Sequence, residues 1–146
     1  MYYDKVVTDF VYEVEWRVSP KGNSGVFIRS ATPEKGNPWM TGYEVQISCE
    51  EPRRDDNHCT GALYGYASVD PRPDETPGKW RRYRITCKGP RITVEADGEK
   101  VCELDQSADE KARDKPLSGY IGVQDSHAGP GTWVEYRKIR LKELKD

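Results

Sequence analysis

Between positions 10 and 18 the chain puts Phe10, Tyr12, Val14, Trp16 and Val18 on one side and Val11, Glu13, Glu15 and Arg17 on the other. A period of two excludes a helix, whose faces recur about every 3.6 residues, and requires a long strand buried on one face. The same period returns in Tyr43-Glu44-Val45-Gln46-Ile47, with Tyr43, Val45 and Ile47 on one side and Glu44 and Gln46 on the other. Pro20-Lys21-Gly22-Asn23-Ser24-Gly25 supplies turn chemistry before a strand over 26–29, and a loop through Pro33, Gly36 and Pro38 leads to the strand of Glu44. Residues 80–88 and 91–96 read as strands. Lys88-Gly89-Pro90 joins them, and Asp97-Gly98 is the preferred hairpin dipeptide. In the last strand Val134 and Tyr136 are out of phase with Ile139 and Leu141, which predicts a β-bulge near Arg137-Lys138. Residues 71–78, with three prolines, form a surface loop, and 107–115 give at most a short helix or turn. Many strands, Gly/Pro turns and almost no helix define an all-β sandwich of two antiparallel sheets, with Tyr12, Val14, Trp16, Val45, Ile85, Val94 and Ile121 between them.

The 146 residues suffice for one domain, 1–146, with a two-layer core. Only 35% are hydrophobic and 33% are charged, a balance that suits antiparallel strands wetted on one face. A net charge of −2 argues against a nucleic-acid partner, which requires a basic excess. No run of about 18 apolar residues offers a membrane span, and the N-terminus as given has no signal-peptide pattern. Cys49, Cys59, Cys87 and Cys102 show no Cys-x-x-Cys spacing, which speaks against a zinc knuckle. Cys49 and Cys59 bracket a polar loop and are placed to bridge it, whereas Cys87 alternates with Tyr83 and Ile85 as a core residue.

Polar residues that alternate with core positions are the candidates for chemistry: Glu13, Glu15 and Arg17, then Arg29, Glu44 with Gln46, and Gln124 with Tyr120. Two carboxyls about 5–5.5 Å apart would suit a retaining glycosidase, and Glu13 with Glu15 is the pair to test, although two acids on a wet strand face are common. The chain has two histidines, His58 and His127. Each is either an exposed bystander or an acid/base or metal-binding group.

Asn23-Ser24-Gly25-Val26-Phe27-Ile28-Arg29, Gly42-Tyr43-Glu44-Val45-Gln46-Ile47, Thr60-Gly61-Ala62-Leu63-Tyr64-Gly65 and Gly119-Tyr120-Ile121-Gly122-Val123-Gln124-Asp125, with the tail from Tyr136 to Leu144, resemble the 3-keto-disaccharide hydrolase family. The resemblance runs from about Phe10 to Leu144. It implies a concanavalin A-like jelly roll and an enzyme that cleaves 3-keto-glycosides by elimination and hydration. Arg29, Glu44 and Gln46 stand where the motifs of that family also place Arg, Glu and Gln; the candidate roles are Glu44 or His58 as base, Arg29 with Gln46 as holders of enolate or hydroxyl oxygens, and Asp125 or His127 as acid. Asn23, Tyr64 and Gln124 would contact substrate. It implies further a divalent metal that polarises the ketone, with Glu44, His58 and His127 as the plausible ligand set, no organic cofactor, and a secreted or periplasmic location. The family's histidine directly follows Gln-Asp; here Ser126 intervenes, and a one-residue shift reverses side-chain direction along a strand.

Two other readings stand beside the enzyme. One is a non-catalytic carbohydrate-binding jelly-roll module, with Trp39, Tyr43, Tyr64 and Trp133 stacking on sugar rings. The other is an oligomerisation domain, in which a short N-terminus leaves a sheet edge open to a second copy.

Overall fold

The computed structural model describes residues 1–145. Eight strands form two antiparallel sheets: β1 (Phe10–Val18), β2 (Asn23–Ser30), β3 (Tyr43–Ser48), β4 (Arg81–Lys88), β5 (Arg91–Ala96), β6 (Glu99–Asp105), β7 (Tyr120–Val123) and β8 (Val134–Glu143). The larger sheet has the order β6-β5-β4-β1-β8 and the smaller β3-β2-β7. The alternation in β1 buries Phe10, Tyr12, Val14, Trp16 and Val18 against Val26, Ile28, Tyr43, Val45 and Ile47 of the smaller sheet. Ile85, Val94 and Ile121 complete the expected core. Each such side chain fully removed from water contributes about 1.5–3 kcal/mol, which lets a chain this polar close a two-layer sandwich.

Both edges of the smaller sheet are covered by the chain itself. Leu63 bridges Val45 beside β3, and Tyr2 and Val7 bridge Gly122 and Gly119 beside β7. The N-terminal residues thus pair along the β7 edge of the smaller sheet, while β6 and β8 form the edges of the larger one.

The bulge lies where the phase change requires it. Glu13 pairs with Arg140 and Glu15 with Arg137, so one more residue is accommodated on β8 than on β1, and Lys138 takes a φ of 51°. The loop after β2 holds more structure than its prolines suggested: a 3₁₀ turn over Pro33–Lys35, then the single helical turn α1 (Pro38–Thr41). Proline at the first helical position starts such a turn because its φ is already helical. The segment 107–115 opens inside a 3₁₀ turn over Gln106–Ala108, capped by Asp105 through Ser107 N at 3.0 Å, and continues as turns. All four cysteines are free thiols. Cys49 Sγ donates to Glu75 O at 3.0 Å rather than bridging to Cys59, and Cys87 is core.

Candidate active site

The outer face of the smaller sheet holds the polar cluster. Val45 and Leu63 pair with both side chains in the core, so their neighbours Glu44 and Tyr64 stand opposite each other on the outer face, with Tyr64 N donating to Glu44 O at 2.9 Å. Cross-strand neighbours of this kind have Cβ atoms about 5 Å apart. On the other side β2 runs alongside with Phe27 opposite Glu44 and Gly25 opposite Gln46. A Cβ at Gly25 would lie 2.2 Å from Glu44 Oε1. The glycine therefore leaves the space in which the carboxylate rests.

Asn23, Glu44, Gln46 and Gln124 form the floor of a cleft of about 270 Å³, and Trp39, Tyr64 and His127 rise around it. Glu44 is 6% exposed, and burial pushes its carboxyl up from 4.5 to about 7. Oriented to satisfy its neighbours, the Gln46 amide donates to Glu44 Oε1 at 3.0 Å and Ser24 O at 2.9 Å. Gln124 Oε1 is buried and meets no donor among the described residues, so it is available to a ligand hydroxyl.

The walls are tied together. Tyr64 packs edge-on against His58 and Trp39, with ring centroids 4.8 and 6.0 Å away. Its hydroxyl accepts from Arg54 Nη2 at 2.7 Å, Arg54 Nη1 donates to Glu50 Oε1 at 3.2 Å, and Asn23 Nδ2 donates to the same Glu50 oxygen. Lys115 Nζ donates to Met40 O and Gly42 O, each at 2.7 Å, fixing the turn that bears Trp39. Lys111 Nζ donates to Gly65 O at 2.8 Å, next to Tyr64.

Of the residues proposed from the sequence, Asn23, Glu44, Gln46, Tyr64, Gln124 and His127 share this cleft. His58 stands behind Tyr64, with Nδ1 2.8 Å from Asp55 Oδ1. Asp125 is exposed, lines an adjoining hollow that shares Gln124 with the cleft, and accepts from Ser126 N at 2.9 Å. Arg29 is absent from the cleft. Alternation from Asn23, Gly25 and Phe27 would bring it to the outer face, but its φ of 50° and a register shift between Phe27 and Ser30 turn it inward. There it is 0% exposed and donates to Gly89 O at 2.8 Å and Thr8 O at 2.9 Å, with Asp9 at 3.5 Å. It clamps the N-terminal segment to the β4–β5 turn.

Glu13, Glu15 and Arg17 project from the outside of the larger sheet. Arg84 lies 2.8 Å from Glu13, Arg137 3.0 Å from Glu15 and Glu135 2.9 Å from Arg17, the pairings of a solvated strand face. Among the stacking candidates Tyr43 is core, and Trp133 packs over Arg17 away from the cleft. Glu50, Arg54 and Lys115 belong to the site or its supports without having been expected. Arg54 lies in a polar loop with five other charged residues, Glu50, Glu51, Arg53, Asp55 and Asp56, so nothing in the sequence separates it from them. Of the ligand set expected for a divalent metal, Glu44 and His127 line the cleft and His58 does not, and no three His, Cys, Asp or Glu side chains gather around a common point among the described residues.

A putative glycosyl hydrolase from Parabacteroides distasonis superposes with a TM-score of 0.81 at 23% identity, over 98% of this chain and 82% of its own. A second from the same organism gives 0.81 at 19%, over 99% and 74%. The carbohydrate-binding module CBM66 from Bacillus subtilis gives 0.64 at 15%, over 96% and 76%. At these identities the likeness is one of fold: a jelly-roll sandwich. No curated protein matches the chain. The family model described as a 3-keto-alpha-glucoside-1,2-lyase-like domain matches residues 1–142, and the chain belongs to that family.

Proposed function

We propose that the cleft cleaves 3-keto-glycosides by elimination followed by hydration. A ketone at carbon 3 acidifies the proton at carbon 2. Glu44 removes that proton, the electron pair moves into the enolate, the bond from carbon 1 to the aglycone oxygen breaks, and that oxygen leaves with a proton from an acid. Water then adds at carbon 1 of the enone while carbon 2 regains a proton, giving net hydrolysis.

The observation that supports this reading most is the state of Glu44. A general base works best with a pKa near the operating pH, and burial on the sheet face brings Glu44 to about 7. Gln46 steadies the carboxylate, Asn23 and Gln124 offer polar contacts for hydroxyls, and the family supplies the substrate class. Direct displacement needs a second carboxylate, and Glu44 is the one acid that lines the cleft: Glu50 lies behind Asn23 and is engaged by Arg54, and Glu13 and Glu15 lie on the other sheet, engaged by arginines.

A 3-keto-glucoside incubated in deuterated water should lose its aglycone and take up deuterium at carbon 2, while the unmodified glucoside stays intact. Tight binding of sugars with neither exchange nor cleavage would establish the carbohydrate-binding module instead, with Trp39 and Tyr64 as its stacking surface.

A further inference from the structure

Elimination requires an acid for the departing oxygen, and neither residue first considered is held for that task. Asp125 is exposed and does not line the cleft, and His127, which does, is exposed on the loop after β7 with no side-chain partner among the described residues. Tyr64 is held from several sides. Its ring is fixed by His58 and Trp39, and it stands beside the Val45–Leu63 bridge opposite Glu44, whose carbonyl accepts from Tyr64 N at 2.9 Å. Arg54 Nη2 donates to its oxygen at 2.7 Å. A phenol oxygen that accepts from a guanidinium keeps its own proton free to donate, and the adjacent cation stabilises the phenolate left behind. Arg54 is positioned in turn by Glu50, and Glu50 by Asn23.

We propose that Tyr64, polarised by Arg54, is the general acid of the elimination, donating its hydroxyl proton to the glycosidic oxygen as the bond to carbon 1 breaks. This rests on the elimination reading and deepens it by naming the substrate class. An alkoxide is a poor leaving group and needs this proton, whereas a nitrophenolate leaves without it. The cleft is therefore built for aglycones joined through an unactivated alcohol, including a second sugar. Glu44 takes the carbon 2 proton, and the Tyr64 proton departs with the aglycone. Proton return to Tyr64 from the water that adds at carbon 1 closes the cycle.

The test compares wild type with Tyr64→Phe on two 3-keto-glucosides, one with a methyl and one with a 4-nitrophenyl aglycone, in deuterated water. The variant should lose about 100-fold or more on the methyl glycoside and less than about 10-fold on the nitrophenyl one, with exchange at carbon 2 retained on both. Arg54→Gln should show the same selectivity in weaker form, reporting the positioning role of the guanidinium. Equal losses on the two aglycones with exchange intact would overturn the assignment of Tyr64 and leave the elimination standing. Absence of exchange with the wild-type protein would instead overturn the elimination itself.

Discussion

Replacing Glu44 by Gln should make the protein more stable at alkaline pH while removing its activity. Burial raises this carboxyl from 4.5 to about 7, so between those values the native state holds a proton that the unfolded chain has lost. Stability therefore falls as pH rises across that window, the effect being absent below about 4.5 and complete above about 7. At about 1.36 kcal/mol per pH unit, the rise corresponds to at most about 3 kcal/mol of destabilisation at pH 8. Glutamine removes the ionisable group, keeps the size, and still offers an oxygen to the Gln46 amide. For a chain of this length each kcal/mol moves Tm by about 2–4 °C. Glu44→Gln should thus gain up to about 12 °C over wild type at pH 8 and little or nothing at pH 4. Urea or thermal unfolding of the two proteins at both pH values measures this, and comparison at matched pH cancels the other carboxylates. A stability difference that is the same at pH 4 and pH 8 would refute a buried, destabilised carboxylate at position 44. Turnover of a 3-keto-glucoside by the same variant should drop by about 100-fold or more.

The sheets were legible because their signal is local. A period of two in β1 and β3 fixes which side chains face the core, and with it which face carries Glu44 and Gln46. The phase change in β8 located its bulge for the same reason: both halves of the strand announce their own parity. Arg29 shows where parity fails. Its strand gives no sign of the left-handed residue that reverses its direction, because the contacts that hold it there come from Thr8 and Gly89, distant in sequence. The position of Asp125 outside the cleft was hidden likewise, since residues beyond the end of β7 no longer follow its alternation. The arginine that meets Tyr64 is in a loop without period, and only the return of that loop over β3 brings Arg54 to the phenol. The family motifs reached Glu44 and Gln46 on the β2–β3 ladder and Tyr64 beside the isolated Val45–Leu63 bridge, and not the loop-borne residues that orient them.

Arg29→Met should lower stability by about 3–5 kcal/mol in urea unfolding, because it leaves Thr8 O and Gly89 O without their buried charged donor, while KM of the folded fraction stays as in wild type. The pH profile of carbon 2 exchange should rise through about pH 7 and level off, as expected for a base that is active once ionised; a flat profile from pH 5 to 9 would move the base away from Glu44. Lys115→Met should raise KM more than it lowers kcat, since the Lys115 bonds to Met40 O and Gly42 O fix the turn of Trp39 and do not reach the floor; an unchanged KM would detach that turn from substrate binding. Gly25→Ala tests the floor directly. Its methyl would stand 2.2 Å from Glu44 Oε1 and 2.7 Å from Cδ, closer than any real contact, so the carboxylate must lift off β2 toward solvent. Exposure returns a carboxyl toward its ordinary value, so the exchange profile of Gly25→Ala should shift to lower pH and its plateau should fall, because the displaced base no longer meets the carbon 2 proton in line. A Gly25→Ala protein that kept both the wild-type midpoint and the wild-type plateau would mean that the carboxylate beside Gly25 is not the group that removes the proton.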